Sequence, residues 1–322
     1  MKRLVLICLL CCCYINSYCW GFFAHQRINY YAAFLLPPEM MVMFKPHIRF
    51  LSDHATDADK RRYVVAEEAP RHYIDIDYYG PYPYDALPRK WEDAIAKYTL
   101  DTLQSKGIVP WWINIMVQRL TNAFKEKNGA KILKTAADLA HYVADAHVPL
   151  HATQNHDGQL TGQKGIHAFW EGRIPELLAE TTFDFIIGKA IYIENVPAFT
   201  WSRVLESAAL AQQVLQAEAS LTKEFPGDQK FAFEDRNGKL IRQYSAAFSI
   251  AYNKKLENMV ETRMRESIRS VASLWYTAWV NAGQPDLKEL TDVSFTASEI
   301  SEFDSLNRAW RNNPARGRTE ND

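Results

Sequence analysis

Apolar residues recur at helical spacing through most of this chain, and this periodicity constrains its fold more than any other feature. Residues three and four apart lie on one face of a helix, so the pattern predicts helices that each bury one side. The one stretch that favours a strand is short, Tyr73–Asp77. The sequence therefore predicts an all-α protein that folds as a single-domain helical bundle.

Prolines, glycines and polar runs divide the chain into predicted helices. We predict helices over 21–36, 39–52, 89–105, 109–127, 130–147 and 166–181, followed by two amphipathic segments over 199–223 and 238–282. Residues 53–88 carry five proline or glycine breaks and are predicted to be irregular. The chain is polar from about residue 285, so we predict one domain over 20–290 and a partly disordered tail over 291–322.

The first nineteen residues have the layout of a secretory signal peptide. Lys2 and Arg3 precede an apolar run, Leu4–Cys13, that is too short to span a bilayer. Small residues then place a cleavage site just before Trp20, which predicts a secreted or periplasmic protein. An uncleaved membrane anchor and a lipoprotein acylated at Cys19 are the alternatives.

Cysteine usage and charge exclude several classes of function. All five cysteines lie in the predicted signal peptide, so the mature chain has no disulfide, thiolate ligand or cysteine nucleophile. The formal net charge is −1, and removing Lys2 and Arg3 makes it −1 − 2 = −3. A slightly acidic protein lacks the basic face of a dedicated duplex-binding module.

The segment from His141 to Glu171 holds five of the nine histidines and indicates a metal site. His141 and Asp145 are four residues apart, as are His167 and Glu171, so each pair lies on one helix face. His151 follows the first pair after a proline. Nitrogen and oxygen ligands of this kind suit zinc. One pair alone is also explained by a buried His–Asp hydrogen bond, but two pairs and a third histidine favour metal binding.

Other candidate ligands lie nearer the start of the chain. The amine and carbonyl of Trp20 can chelate a metal ion after signal cleavage, and His25 follows in the first turn of a helix. An exposed histidine on an ordinary N-terminal helix is the alternative. Within the His141–Glu171 segment, His147 is predicted to have a structural role. His156 and Asp157 are predicted to lie in a solvated loop at the rim of the site.

These elements together resemble the zinc-dependent phospholipase C and single-strand-specific nuclease superfamily. Its members are secreted α-helical phosphodiesterases with three zinc ions. The matching elements, in chain order, are Trp20 after signal cleavage, His25, an Asp in ATDADKRR, His72 in HYID, His141, Asp145, His151 after Pro-Leu, His167 and Glu171. They span about half of the mature chain, and the helical remainder fits only in general character.

The resemblance implies three groups of zinc ligands. The first is Asp57, His72, His141 and Asp145; the second is His151, His167 and Glu171; the third is Trp20, His25 and a bridging Asp145. Asp57 is preferred to Asp59 because the family pattern has a basic residue three positions later, where Lys60 stands. Asp57 is also expected to orient or deprotonate the water that attacks the phosphodiester.

The resemblance leaves the substrate open. Two features resemble the phospholipase branch: Glu171 and the short interval between His151 and His167. Two others resemble the nuclease branch: the close spacing of Trp20 and His25 and the Pro-Leu-His motif. A phospholipase C-like activity is expected, with a single-strand-specific endonuclease or 3'-nucleotidase as the alternative. A nuclease needs exposed aromatic rings for stacking bases, for which the candidates are Trp111, Trp112 and Trp170. The alternative of another class is a secreted zinc-binding protein without catalytic activity.

Overall fold

The chain folds mainly into α-helices, as the periodicity predicts. The computed structural model describes residues 21–236 and 238–316. The predicted signal peptide and Trp20 therefore lie outside the described residues. Within those residues the single sheet has two strands, so the prediction of an all-α protein in one domain is confirmed. None of the described helices is both long and apolar enough to cross a membrane.

The helices of the first half of the chain are numbered in order. They are α1 (Phe22–Ala32), α2 (Pro38–Phe44), α3 (Ile48–Asp53), α4 (Asp57–Arg61), α5 (Trp91–Tyr98), α6 (Leu100–Lys106), α7 (Val109–Lys125) and α8 (Gly129–Asp145). Short 3-10 turns connect several of them, including one at Ile76–Tyr79 where the sequence favoured a strand.

The second half has both longer and shorter elements. They are α9 (Ile166–Ala168), a π-helical turn (Phe169–Arg173), α10 (Ile174–Leu178), α11 (Val196–Glu224), strands β1 (Phe231–Arg236) and β2 (Lys239–Tyr244), α12 (Ala246–Lys255), α13 (Met259–Asn281) and α14 (Ala297–Asn312).

Side-chain caps fix the start of α8 and α11. The Asn128 side chain accepts a hydrogen bond from the Lys131 N–H, and the Asn195 side chain accepts one from the Ala198 N–H. Such caps satisfy backbone donors that have no partner inside the helix. The cap at Asn128 determines where α8 begins, and α8 ends seventeen residues later at Asp145, a candidate ligand.

Helix α8 runs through the centre of the bundle, packed against α1, α7 and α13. Its buried alanines, Ala136 and Ala140 among them, let neighbouring helices approach closely. The indole of Trp275 on α13 is fully buried and donates a hydrogen bond to the Ala136 carbonyl oxygen, at 2.9 Å. These contacts hold the helix that carries His141 and Asp145.

The amphipathic segment predicted over 238–282 is divided in the structure into strand β2 and helices α12 and α13. Strand β1 pairs antiparallel with β2, and Arg236 faces Lys239 at the closed end. The intervening sequence is Asn237-Gly238, a dipeptide favoured in two-residue hairpin loops. Tyr244 stacks on Phe169 with 3.8 Å between ring centroids, which attaches the hairpin to the π-helical turn.

Part of the segment expected to be a partly disordered tail, 291–322, is helical. Residues 297–312 form α14, which begins with a capping box between Thr296 and Glu299 and packs against α4. Leu306 is only 6% exposed, and Trp310 contacts the Phe22 ring at 5.0 Å between centroids. Leu306 and Ala309 are the buried residues of this polar helix, and with the ring of Trp310 they dock it.

The docking of α14 can be tested with two truncations on the same helix. We expect Leu306→Ala to lower the free energy of unfolding by about 2–3 kcal/mol, because a buried leucine is removed. Ile300→Ala is the matched control, since Ile300 is 52% exposed and its loss should change the free energy by less than about 0.5 kcal/mol. Urea denaturation measures both. Equal, negligible effects would mean that α14 is not part of the folded unit.

Candidate metal centre

Asp145 is the point at which the candidate ligands meet. Its side chain is fully buried at the C-terminal end of α8. One carboxylate oxygen lies 3.4 Å from His25 Nε2, and the other lies 2.9 Å from His72 Nδ1 and 3.3 Å from His141 Nε2. The i, i+4 spacing of His141 and Asp145 therefore brings the pair to one point, as the sequence predicts.

Asp59 completes the group around His72 and His141. Its Oδ1 lies 3.4 Å from His141 Nε2 and 3.7 Å from His72 Nδ1, and these two nitrogens are 3.1 Å apart. A tetrahedron with metal–ligand bonds of ~2.0–2.1 Å has ligand atoms ~3.3 Å apart. The distances among Asp59, His72 and His141 are close to this size, so these three side chains can hold one ion, and Asp145 contacts both histidines beside them.

The structure brings Asp59, and not the predicted Asp57, into the group with His72 and His141. Asp57 accepts hydrogen bonds from His54 Nδ1 at 2.6 Å and Lys60 Nζ at 2.9 Å. Residues two apart on a helix point in different directions, about 200° around the axis, so Asp59 faces the site while Asp57 faces away. A basic residue three positions later could not distinguish the two aspartates, because Arg62 follows Asp59 at the same spacing as Lys60 follows Asp57.

His151, His167 and Glu171 form a second group, as predicted. The Nε2 atoms of the two histidines are 3.1 Å apart, and Glu171 Oε2 lies 3.1 Å from His167 and 3.5 Å from His151. His167 lies in α9 and Glu171 in the π-helical turn that follows it. All three side chains are buried, and their atoms are again spaced like three ligands of a tetrahedral ion.

Three of the histidines are oriented by backbone carbonyls. The Nδ1–H of His141 donates to the Ala55 oxygen at 2.8 Å, that of His151 to the His72 oxygen at 2.6 Å, and that of His167 to the His156 oxygen at 3.1 Å. Each bond assigns the proton to the outer nitrogen and leaves the Nε2 lone pair directed inward. This arrangement supports histidine as a metal ligand.

The buried carboxylates lack basic partners other than histidine. Among the described residues, every ion-pair contact of Asp59, Asp145 and Glu171 is with an imidazole. Both oxygens of Asp59 and one oxygen each of Asp145 and Glu171 are buried without a hydrogen bond within the described chain. Buried charges are normally paired or bound to a metal. The chemistry of this donor set therefore fits cations.

The electrostatics of the group favour positive charge. Burial lowers the pKa of His141, but the carboxylates of Asp59 and Asp145 outweigh it and raise the pKa to about 9. Burial raises the pKa of Asp145, but His141 and the other imidazoles around it bring that pKa well below its usual value. The metal-free site thus holds protons that a bound cation must displace.

His25 lies beside these groups as expected. It is fully buried in the first turn of α1, and its ring stacks on His141 at 3.9 Å between centroids. The Gly21 N–H donates to the Glu171 carbonyl oxygen at 3.1 Å, so the described chain begins beside the second group. A Cβ on Gly21 would lie 2.9 Å from the Gly172 Cα, and only glycine allows this approach. Trp20, the other predicted ligand of the third group, lies outside the described residues.

The loop before His167 is packed rather than solvated, contrary to expectation. Asp157 is buried, and its Oδ1 accepts hydrogen bonds from the N–H groups of Gly165 and His167. His156 is 8% exposed and holds His167 through its carbonyl oxygen. The loop therefore positions a ligand. His147 has a structural role, since its ring bonds to the Val143 carbonyl oxygen and to Ser270.

A cleft of about 460 Å³ is lined by neighbours in sequence of two candidate ligand segments, and none of the candidate ligands themselves line it. Its wall includes Tyr73, which follows His72 in the chain, and Gln154 and His156 from the loop before His167. Small-molecule sites have volumes in this range. The cleft is therefore large enough for a small molecule, and Tyr73 and His156 connect its wall to the segments that carry His72 and His167.

Comparisons with protein-family models and with curated proteins find no match for this chain. The side chains themselves are therefore the basis for assigning chemistry. They form three buried groups that could hold metal ions: His25, His141 and Asp145; Asp59, His72 and His141; and His151, His167 and Glu171.

Matched substitutions at Asp59 and Asp57 test the assignment of the ligand. We expect Asp59→Asn to weaken metal binding by more than ~100-fold, beyond the 10–100-fold typical of outer-shell changes, because a charged ligand is lost. Asp57→Asn should retain the metal, since Asp57 pairs with His54 and Lys60 instead. Metal content after dialysis against a chelator measures both. Loss of metal in the Asp57 variant alone would restore the original choice.

The raised pKa of His141 predicts a proton-coupled metal affinity. Because the pKa is about 9 without metal, His141 is protonated at pH 7 and must lose a proton to bind an ion. Affinity should rise with pH between 7 and 9, by up to ~10-fold per unit for each proton displaced. Titration calorimetry at pH 7 in two buffers of different ionisation enthalpy measures the protons released. Identical heats in both buffers would contradict this expectation.

Proposed function

We propose that this protein is a secreted zinc-dependent phosphodiesterase of the phospholipase C-like kind. The observation that carries the proposal is the orientation of His141, His151 and His167. Each ring donates its outer N–H to a backbone carbonyl and directs the other nitrogen at a carboxylate that has no basic partner other than histidine within the described chain. A packing role alone does not require this repeated arrangement.

Zinc is the ion that the donor set favours. The ligands are imidazole nitrogens and carboxylate oxygens, and the distances between them suit tetrahedral coordination. Bound zinc lowers the pKa of a coordinated water to near neutrality and stabilises charge on a phosphoryl group. The order and spacing of the ligands from His25 to Glu171 are those for which the sequence resembles the three-zinc phosphodiesterases.

The charge of the site supports an anionic substrate. Asp59, Asp145 and Glu171 contribute three negative charges, and three divalent ions would leave a surplus of 6 − 3 = +3. A phosphodiester anion can then bind despite the acidic net charge of the protein. Asp59 takes the role first expected of Asp57, because its carboxylate faces the site and can accept a proton from an attacking water. The Asp57 carboxylate instead accepts hydrogen bonds from His54 and Lys60.

Open coordination supports an enzyme over a non-catalytic zinc-binding protein. The second group provides three protein ligands among the described residues, His151, His167 and Glu171. Catalytic zinc sites typically have three protein ligands and an open position for water or substrate, whereas structural sites have four.

Burial of three tryptophans removes the stacking surfaces for bases that the sequence offered. Trp111, Trp112 and Trp170 were the candidate stacking platforms for bases, and they are 6%, 8% and 0% exposed. Their ring faces are covered by protein and cannot stack on bases from solvent. We therefore keep the phospholipase C-like substrate class as the proposal.

Hydrolysis assays on metal-loaded protein test the proposed function. We expect the zinc-loaded secreted chain to hydrolyse phosphatidylcholine faster than single-stranded DNA. Chelation should abolish activity and Zn²⁺ should restore it, because the attacking water needs a metal ion at neutral pH. Asp145→Ala should lose both metal and activity, since Asp145 contacts His25, His72 and His141.

Each outcome of these assays bears on a different part of the proposal. Preference for DNA would move the protein to the nuclease alternative. Full zinc content without cleavage of either substrate would favour the non-catalytic alternative. An active, metal-replete Asp145→Ala variant would rule out the proposed centre.

A further inference from the structure

His72 is oriented differently from the other ligand histidines. His141, His151 and His167 direct Nε2 at the centre and bond through Nδ1 to a neutral carbonyl. His72 instead directs Nδ1 at the centre, 2.9 Å from Asp145 Oδ2 and 3.1 Å from His141 Nε2. Its outer nitrogen, Nε2, faces the carboxylate of Glu68, with 3.6 Å between Nε2 and Oε1.

Glu68 is held in place by partners on both of its oxygens. Oε2 pairs with Arg71 Nη1 at 2.5 Å and with Arg61 Nε at 3.5 Å. Oε1 accepts a hydrogen bond from the Tyr142 hydroxyl and is the oxygen that faces His72. The Glu68 side chain is fully buried, and two arginines keep a carboxylate in its charged form there.

The arginine partners are themselves fixed. Arg71 lies over the Trp112 ring, 4.0 Å from its centroid, and Arg61 also pairs with Asp138 at 3.0 Å. Arg61 donates a further hydrogen bond to the Tyr142 hydroxyl at 3.2 Å. A carboxylate needed only to neutralise two arginines does not have to direct its second oxygen at a ligand histidine.

We propose that Glu68 is a positioning residue that holds His72 for metal binding by accepting a hydrogen bond from its outer Nε2–H. The inference rests on the metal centre of the proposed function. The separation of 3.6 Å is just beyond a hydrogen bond, and a small rotation of the ring closes it. Carboxylate–histidine–metal arrangements fix the ring orientation and make the ligand more basic. The outer nitrogen of His72 thus faces a charged carboxylate, whereas those of His141, His151 and His167 bond to neutral backbone carbonyls.

The test compares Glu68→Gln with Glu67→Gln, its exposed neighbour in sequence. Metal-free protein is titrated with Zn²⁺ against a competing chelator. We expect Glu68→Gln to weaken the binding of one ion by ~10–100-fold, the effect typical of outer-shell partners. Glu67→Gln should bind zinc like the unsubstituted chain. Equal zinc affinity in a folded Glu68→Gln variant and in the unsubstituted chain would overturn the inference.

A spectroscopic measurement separates positioning from a general structural role. In Co²⁺-loaded protein, ring N–H protons of ligated histidines give strongly shifted proton resonances. Glu68→Gln should move the resonance of one histidine and leave those of His151 and His167 unchanged. Shifts spread over all the ligated histidines would mean that Glu68 acts only through the fold and would overturn the inference.

A second variant keeps the test decisive if Glu68→Gln does not fold. Tyr142→Phe removes the hydroxyl that bonds to Glu68 Oε1 but keeps Glu68 and both arginines. It should weaken the same ion by a smaller factor, and unchanged zinc affinity and Co²⁺ resonances in this variant would overturn the inference.

The two proposals can fail separately. Weakened zinc binding in Glu68→Gln without phosphodiester hydrolysis by the parent would reject the function and support the role of Glu68. Phosphodiester hydrolysis by the unsubstituted chain, together with unchanged zinc affinity in Glu68→Gln, would support the function and reject the role of Glu68.

Discussion

The buried carboxylate of Asp145 is the interaction around which the structure is organised. It lies at the end of the central helix and contacts histidines from α1, from the irregular region and from α8 itself. Burying a carboxylate is costly unless charged or hydrogen-bonded partners surround it. The fold meets this cost by bringing distant segments to one point, and the same arrangement produces a candidate site for cations.

The packing of α8 makes this convergence possible. Small side chains such as Ala136 and Ala140 let α1, α7 and α13 lie close to the helix axis. The polar end of the helix then remains inside the bundle instead of reaching solvent. Beyond it, the loop that contains His156 and Asp157 folds back so that its backbone and side chains orient His167. Apolar packing and polar chemistry therefore depend on the same elements.

Much of the fold and most of the site could be predicted from the sequence, and the errors have physical explanations. Spacing within a helix placed His141 with Asp145 and His167 with Glu171, because those pairs depend only on local geometry. Asp57 and Asp59 could not be separated in this way, since both have a basic residue three positions later and the side of a short helix that faces inward is decided by tertiary packing. Likewise, α14 has few apolar residues, and only their docking against α4 reveals that it is part of the domain.

The contact between the first and last described helices has a consequence for the stability of the site. Phe22 meets Trp310, and the Arg316 N–H donates to the Arg62 carbonyl oxygen just beyond the helix that carries Asp59. A candidate ligand near one end of the described chain therefore has surroundings that a segment near the other end completes. Local unfolding of α14 would expose the helix that carries Asp59 while most of the bundle stays folded.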